Sequence, residues 1–293
     1  MATTFTHSYP IGFRRGGGWQ DDLGALIAFA ADNGFEHLDL RPATTEDLKR
    51  VKSAGLGFGT IDLVDWPALG SADATRRTDA VQTNAELIKA AVAEGAHAFF
   101  LVLLPEEPAK PRRDNFGQFV KGLGALCDAI ADTDAKLSIE GWPGPAPNFA
   151  TLACVPADLR ALFKEVNSDA LGINFDPSHL IRMGINPVRF LDEFAQRVVH
   201  VHGKDTELLD DDLYEYGNVQ PATFGKNHGF GGFHWRYTIP GRGIGRWGRM
   251  LEQLSQAGYS GGISIELEDE DFNGSEEGEK RGLCAARDFL MGI

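Results

Sequence analysis

The sequence predicts an α/β chain folded as a (β/α)8 barrel, and three observations carry that expectation. Strand-like and helix-like segments alternate about eight times along 293 residues, which calls for right-handed βαβ units and a parallel sheet. The later strands are two-faced. Val199 and Val201 alternate with His200, His202 and Lys204; Leu137 and Ile139 with Ser138 and Glu140; Ile173 and Phe175 with Asn174 and Asp176; Ile263, Ile265 and Leu267 with Ser264, Glu266 and Glu268. Alternate side chains of a strand point to opposite faces. An open doubly wound sheet, covered by helices on both sides, would be apolar on both faces. Finally, each polar face gains its acid or histidine near the C-terminal end of its strand, the end at which a parallel barrel does its chemistry.

The elements follow in order. Residues 4–13 form a short strand that ends in the loop Arg14-Arg15-Gly16-Gly17-Gly18. A helix over 21–33 has an acidic start suited to its positive dipole end, and Gly34 stops it. Residues 37–41 alternate as a strand until Pro42, and Thr44-Thr45-Glu46-Asp47 caps the next helix, which closes at 55–59. The third strand, 58–63, precedes a helix over 74–94 and an apolar fourth strand, 98–104. Residues 105–114 read as a proline-rich loop and 115–131 as a helix. The fifth strand, 136–142, runs into the stiff loop Pro143-Gly144-Pro145-Ala146-Pro147. A helix at 157–166 precedes strand six at 172–176, and a helix at 187–195 precedes strand seven at 198–204. The pattern then breaks over 206–245, longer than ordinary connections. That stretch carries Asp210-Asp211-Asp212, Tyr214, Tyr216, Phe224, Phe230, Phe233, Trp235 and Tyr237 among glycines. A helix over 247–257, strand eight at 262–268 and a helix over 276–291 complete one domain, 1–293, with 206–245 as an insertion that serves as a lid or an interface.

Composition excludes several function classes. A formal charge of −14 opposes binding to nucleic acid or anionic membranes, both of which need clustered Lys and Arg. Cys127, Cys154 and Cys284 lack metal-ligand spacing or a disulfide pattern, which fits free thiols in a reducing compartment. Residues 1–11 lack a basic region followed by an apolar run, and no segment has about 18 consecutive apolar residues. The expectation is a cytoplasmic protein.

Glu140, Asp176, His202 and Glu266 end strands five to eight and would project together at the mouth. Three carboxylates and one imidazole make an oxygen-rich ligand set for a divalent metal, with Mn²⁺ favoured and Mg²⁺, Co²⁺ or Zn²⁺ as alternatives. A cation also relieves the repulsion among the acids. The neighbouring polar residues have plainer readings. His200, one pleat deeper, reads as a supporting donor or packed core residue. Lys204 either stabilises substrate charge or pairs with Asp205 or Glu268. Trp142 is a sugar-stacking wall or a packing residue. His7, Asp39 and Asp62, on early strands, line the pocket or, by preference, take structural roles, and His37 and His97 precede strands and carry no chemistry. The 210–212 acids are a solvated surface. Gly241-Arg242-Gly243 is a turn rather than a phosphate loop.

The motifs Ser138-Ile139-Glu140, Asn174-Phe175-Asp176-Pro177-Ser178-His179, His200-Val201-His202-Gly203-Lys204-Asp205 and Ile263-Ser264-Ile265-Glu266 resemble those of the xylose-isomerase-like TIM barrels grouped as sugar phosphate isomerases/epimerases. That group includes ketose 3-epimerases, hydroxypyruvate isomerases and inosose-processing enzymes. The resemblance implies a metal held by Glu140, Asp176, His202 and Glu266, with Glu140 and Glu266 as the acid/base pair and His179 on a substrate oxygen. A metal chelating a carbonyl and the adjacent hydroxyl acidifies the C–H between them, and one carboxylate removes that proton while the other returns it through an enediolate. The activity so implied is isomerisation or epimerisation of a small-molecule ketose or keto-sugar.

The chain also departs from the ketose 3-epimerases, which follow the histidine motif with a glutamate and a nearby arginine. Here Lys204-Asp205 and the aromatic insertion take their place. The Lys-Asp form, Trp235-Arg236-Tyr237 and Glu266-Leu267-Glu268-Asp269 are more similar to the branch that holds catalytic subunits of C-glycoside deglycosidases. That likeness implies a lyase eliminating the aglycone of a 3-keto-glycoside. A non-catalytic sugar-binding barrel is the third expectation. AP endonucleases share the barrel, but they need more histidine ligands and a basic face. The expected assembly is a homo-oligomer, or a hetero-oligomer formed through 206–245.

Overall fold

The computed structural model describes residues 1–145, 149–220 and 223–293. Residues 146 and 147 of the expected proline loop lie outside the described residues. The strands are β1 (Ile11–Arg14), β2 (His37–Leu40), β3 (Gly57–Asp62), β4 (Ala98–Val102), β5 (Lys136–Glu140), β6 (Leu171–Phe175), β7 (Val198–Gly203), β8 (Asp205–Leu208), β9 (Trp235–Thr238) and β10 (Ile263–Ile265). The helices are α1 (Leu23–Asp32), α2 (Thr45–Ser53), α3 (Ala74–Ala93), α4 (Arg112–Ala129), α5 (Pro156–Glu165), α6 (Pro177–Arg182), α7 (Pro187–Phe194), α8 (Asp210–Tyr216), α9 (Trp247–Gln256) and α10 (Glu276–Met291). Eight strands close into a parallel barrel in the order β1-β10-β7-β6-β5-β4-β3-β2, while β8 and β9 pair separately. The expected (β/α)8 barrel is the fold of the chain.

Two compact units can be taken in turn. The first comprises Asp39–Phe175 and Arg197–His200. Its core follows the apolar faces of β3, β4, β5 and β6: Ile61 pairs with Phe99, Phe99 with Leu137, and Leu137 with Leu171, all buried. Thr44 and Asp47 form the reciprocal cap of α2 that their spacing predicts, and Asp73 caps α3. Helix α4 lies so close to the turn Trp66–Gly70 that a Cβ on Gly122 would meet the Leu69 carbonyl oxygen at 1.9 Å, which only glycine permits. The helix begins at Arg112, three residues before its expected start, because Pro111 presets the entry and Arg112 binds the carbonyls of Phe149 and Thr151.

The second unit comprises Met1–Leu38, Asp176–Gln196 and Val201–Ile293. Strand β10 lies between β1 and β7, with Ile263 opposite both Ile11 and Val201. Phe13 meets Phe35 edge-on at 4.8 Å and Phe29 at 5.9 Å, contacts worth about 0.5–1.5 kcal/mol beyond the area they bury. Asn186 caps α7 and Ser275 caps α10.

Three expectations need correction here. Strand eight is short, ending at Ile265, so Glu266 stands just past the strand rather than within it. A six-residue helix, α6, follows β6 where no helix was expected, because Asp176 caps it and Pro177 supplies its first residue. Within 206–245, where the sequence pattern offered no strand, β8 and β9 form an antiparallel ladder, with Thr206 opposite Tyr237 and Glu207 opposite Arg236. Burial disfavours the charge of Arg236, but Glu207 at 2.7 Å, Glu270 at 2.9 Å and Asp271 at 3.3 Å outweigh it and raise its pKa. The 210–212 acids begin α8, and Asp212 pairs with His228 at 2.9 Å. Tyr214, Val219 and Phe224 remain exposed.

Asp205 anchors the end of the insertion. Its buried carboxylate accepts the N–H of Thr206 at 2.8 Å, of Gly245 at 2.9 Å and of Gly241 at 3.4 Å, and the Trp247 indole at 3.0 Å. The Gly241-Arg242-Gly243 segment therefore wraps an internal carboxylate, as a turn should. Asp205→Ala would leave these donors without an acceptor, at a cost on the order of 3 kcal/mol. Chemical denaturation of the variant checks this; an unchanged midpoint would show that the loop is held by other means.

Among the described residues, no helix is long and apolar enough to cross a membrane. Cys127, Cys154 and Cys284 are free thiols, as expected.

Candidate metal and substrate site

Asp176 follows β6 and caps α6, and its two oxygens have different surroundings. Oδ1 accepts the Ser178 N–H at 2.8 Å and the Ser178 hydroxyl at 2.6 Å. Oδ2 is buried and accepts no hydrogen bond, yet Lys204 Nζ stands 3.3 Å away, His179 Nε2 3.4 Å and His202 Nδ1 3.9 Å. A buried carboxylate oxygen that accepts no hydrogen bond keeps lone pairs available to a cation.

His179 lies three residues after Asp176, so one turn of α6 brings both side chains to the same face. Its Nδ1 is 2.7 Å from the Tyr237 hydroxyl, to which Arg182 Nη1 also donates at 2.7 Å.

The β7–β10 register explains the next contacts. Ser264 pairs with His202 and Ile265 with Gly203, so Glu266 follows in step beside Lys204. Lys204 Nζ binds Glu266 Oε2, and lies 3.0 Å from Glu268 Oε2 and 4.6 Å from the Tyr237 ring centre. Of the two partners the sequence offered Lys204, Glu268 is the actual one and Asp205 is not, because the backbone amides of the glycine loop occupy the Asp205 carboxylate. Glu266 Oε2 also lies 3.3 Å from His202 Nδ1, and Oε1 lies 3.3 Å from Arg14 Nε. Burial works to raise the Glu266 pKa, but Lys204, His202 and Arg14 prevail and hold it well below the usual carboxylate range.

Asp176, His179 and Glu266 each present a ligand atom, and the three atoms lie within 4.8 Å of one another. Carboxylate oxygens and an imidazole gathered this closely make a donor set that would suit a hard divalent cation. His202, expected as the histidine ligand, faces Glu266, while His179, expected at the substrate, lies nearer Asp176.

In the other unit, Glu140 is the last residue of β5 and is buried, with Asn174 opposite it in register and donating to its Oε1 at 2.8 Å. Asp39 accepts the Thr60 N–H at 2.9 Å, and its Oδ2 lies 3.0 Å from His200 Nε2. Trp142 is half-buried, and its carbonyl accepts Cys154 Sγ at 3.5 Å. His37 is buried rather than lying ahead of its strand, with Nε2 2.9 Å from Ser264 Oγ, a contact within the framework.

Three contributors escaped the sequence reading. Arg14 ends β1, and the rule that strand ends face the mouth would have found it, but the glycines after it read as a loop. Arg182 repeats the three-residue spacing of Asp176 and His179, which is visible only once α6 is known. Tyr237 was one aromatic among many, and nothing local distinguishes it.

Residues 27–289 match the family model described as Xylose isomerase-like TIM barrel. Among curated relatives, the inosose dehydratase of Clostridium beijerinckii is 31% identical over 111 residues, 38% of this chain and 35% of that protein. That of Clostridium botulinum is 27% identical over 147 residues, 50% of this chain and 45% of the relative. The matched stretch thus spans less than half of these relatives' length. Solved structures share the fold: D-psicose 3-epimerase with D-tagatose from Clostridium cellulolyticum H10 superposes at TM-score 0.69, with 14% identity, covering 97% of this chain and 100% of that one. The 3-keto-D-glucoside 4-epimerase YcjR from E. coli superposes at 0.68, with 15% identity, covering 96% and 98%. With residues 27–289 of 293 matched, the chain belongs to the xylose isomerase-like TIM barrel family.

Proposed function

We propose that the protein is a divalent-metal-dependent isomerase or epimerase of a ketose or keto-sugar. The observation that carries this reading is Asp176 Oδ2, buried without a hydrogen bond and within one ligand-sized cluster with Glu266. Glu140, Asp176, His202 and Glu266 would hold the metal, Mn²⁺ by preference, for which an oxygen-rich set is suited. A divalent cation there supplies the Lewis acidity that makes the C–H beside a carbonyl acidic.

The side chains do the rest. Glu266, kept ionised by Lys204 and Arg14, is a carboxylate base, and Glu140 is the second proton carrier. His179 binds a substrate oxygen through Nε2. Asp176, His179 and Lys204 are buried, which strengthens the contacts they make.

A keto-sugar lyase is the second reading, and Lys204 favours it. Its ammonium touches both Glu266 and Glu268, which puts a proton donor beside a candidate base. An elimination needs such a donor at the departing oxygen, and the inosose dehydratases among the relatives carry out a dehydration by name.

The deciding experiment incubates the Mn²⁺-loaded protein in D₂O with a panel of ketoses, inososes and 3-keto-glycosides. Deuterium uptake with the carbon skeleton and substituents intact is expected. Uptake with loss of water or aglycone would replace this reading with the lyase, and no exchange with any compound would leave a sugar-binding barrel.

A further inference from the structure

The insertion after β7 sends Tyr237 into the site, and we propose that it is a positioning residue that holds His179 as its Nε2–H tautomer, making it a hydrogen-bond donor to substrate rather than a metal ligand. The proposal rests on the sugar-site reading above and assigns a function to the insertion.

Tyr237 is rigidly delivered. It sits in β9 opposite Thr206, whose hydroxyl donates to the Ser178 carbonyl at 2.9 Å and so ties the hairpin to the start of α6. On its other side, the Thr238 hydroxyl donates to Asp269 at 2.6 Å, and the Ile239 N–H donates to the same carboxylate at 3.2 Å. The Tyr237 N–H donates to the Phe230 carbonyl at 3.0 Å. The side chain is only 4% exposed.

The tautomer follows from counting protons. The phenol oxygen has one proton and two partners, each at 2.7 Å: Arg182 Nη1 and His179 Nδ1. A guanidinium only donates, so Arg182 occupies a lone pair and offers the hydroxyl proton nowhere to go. The proton therefore goes to Nδ1, which must be the unprotonated nitrogen, and the imidazole hydrogen resides on Nε2, the atom 3.4 Å from Asp176 Oδ2. Burial raises the Tyr237 pKa, so the phenol keeps its proton. A metal ligand would need a lone pair at Nε2. His179 therefore leaves the histidine position to His202.

The ring has a separate role, since it meets His179 edge-on at 5.3 Å and Trp235 at 5.0 Å and faces the Lys204 ammonium. Phenylalanine keeps these contacts and removes only the hydroxyl.

The test uses the full-length protein with ¹⁵N-labelled histidine, with His179→Gln assigning the resonance. Wild type is expected to show a protonated Nε2 and an unprotonated Nδ1, and Tyr237→Phe to show a mixture of tautomers. Turnover in Tyr237→Phe should fall about 10- to 100-fold, with Mn²⁺ affinity and thermal midpoint nearly unchanged. Adding Tyr237→Phe to His179→Gln should cost no further activity. Protonated Nδ1 in wild type, or a tautomer unmoved in Tyr237→Phe, would overturn the proposal. If the variant does not fold, the wild-type tautomer decides alone. The spectra need no turnover, so a failure to process any sugar would count against the functional reading and not against this one.

Discussion

Turnover of the Glu140→Gln variant is expected to fall by about three orders of magnitude or more, with the fold intact. General acid–base groups contribute typically 10²- to 10⁴-fold, and the substitution also removes a charge proposed to hold the metal. The fold survives because Asn174 Nδ2 donates to Glu140 Oε1, and the amide oxygen of glutamine accepts that bond equally well. Glu266→Gln should lose as much activity and, unlike Glu140→Gln, some stability. Its carboxylate faces Lys204 and Arg14, and a neutral amide leaves those cations undercompensated, a loss of about 1–3 kcal/mol. Steady-state kinetics and thermal denaturation of both variants check the pair. Full activity in both would sink the acid/base assignment.

Removal of divalent metal by a chelator is expected to reduce turnover to background, and added Mn²⁺ to restore it. In the Asp176 cluster three carboxylates, Asp176, Glu266 and Glu268, meet two basic side chains, Lys204 and Arg14, so negative charge remains for a divalent ion to neutralise. Binding at a hundredfold excess over Kd stabilises the folded chain by about 2.7 kcal/mol, which raises the midpoint of a domain this size by several degrees. Asp176→Asn isolates the effect. Its amide oxygen can still cap α6 through Ser178, while the position of Oδ2 loses its charge, so Mn²⁺ affinity should drop by about 100-fold or more while the fold is kept. Calorimetric titration measures both forms. Equal Mn²⁺ affinity in wild type and Asp176→Asn would remove Asp176 from the ligand set.

Much of this site was legible because strand periodicity is local. The alternation around His200 and His202, around Asn174 and Asp176, and around Ser264 and Glu266 identifies polar faces without any knowledge of partners. Each acid stands where its strand stops, so a parallel barrel delivers it to the mouth. The caps at Thr44 and Asp47 are likewise three residues apart, and the bond found there is the one their spacing specifies.

What stayed hidden depends on distance along the chain. Helix α6 is too short for a 3.6-residue period to show, and it moves His179 and Arg182 to the site's side of the turn. β8 and β9 are separated by residues 209–234, and a ladder between short segments that far apart leaves no local trace. Lys204 illustrates the division best. Its place on the polar face of β7 is readable from alternation, but its choice of Glu268 over the adjacent Asp205 is not. The amides of the glycine loop bind the Asp205 carboxylate, and Lys204 meets the acids that follow the neighbouring strand. The barrel and the polar faces of its strands are readable locally, because pleat and helix periods act over a few residues. The partner of each charge is not, because hydrogen bonds and ion pairs go to whichever group chain closure brings within about 3 Å.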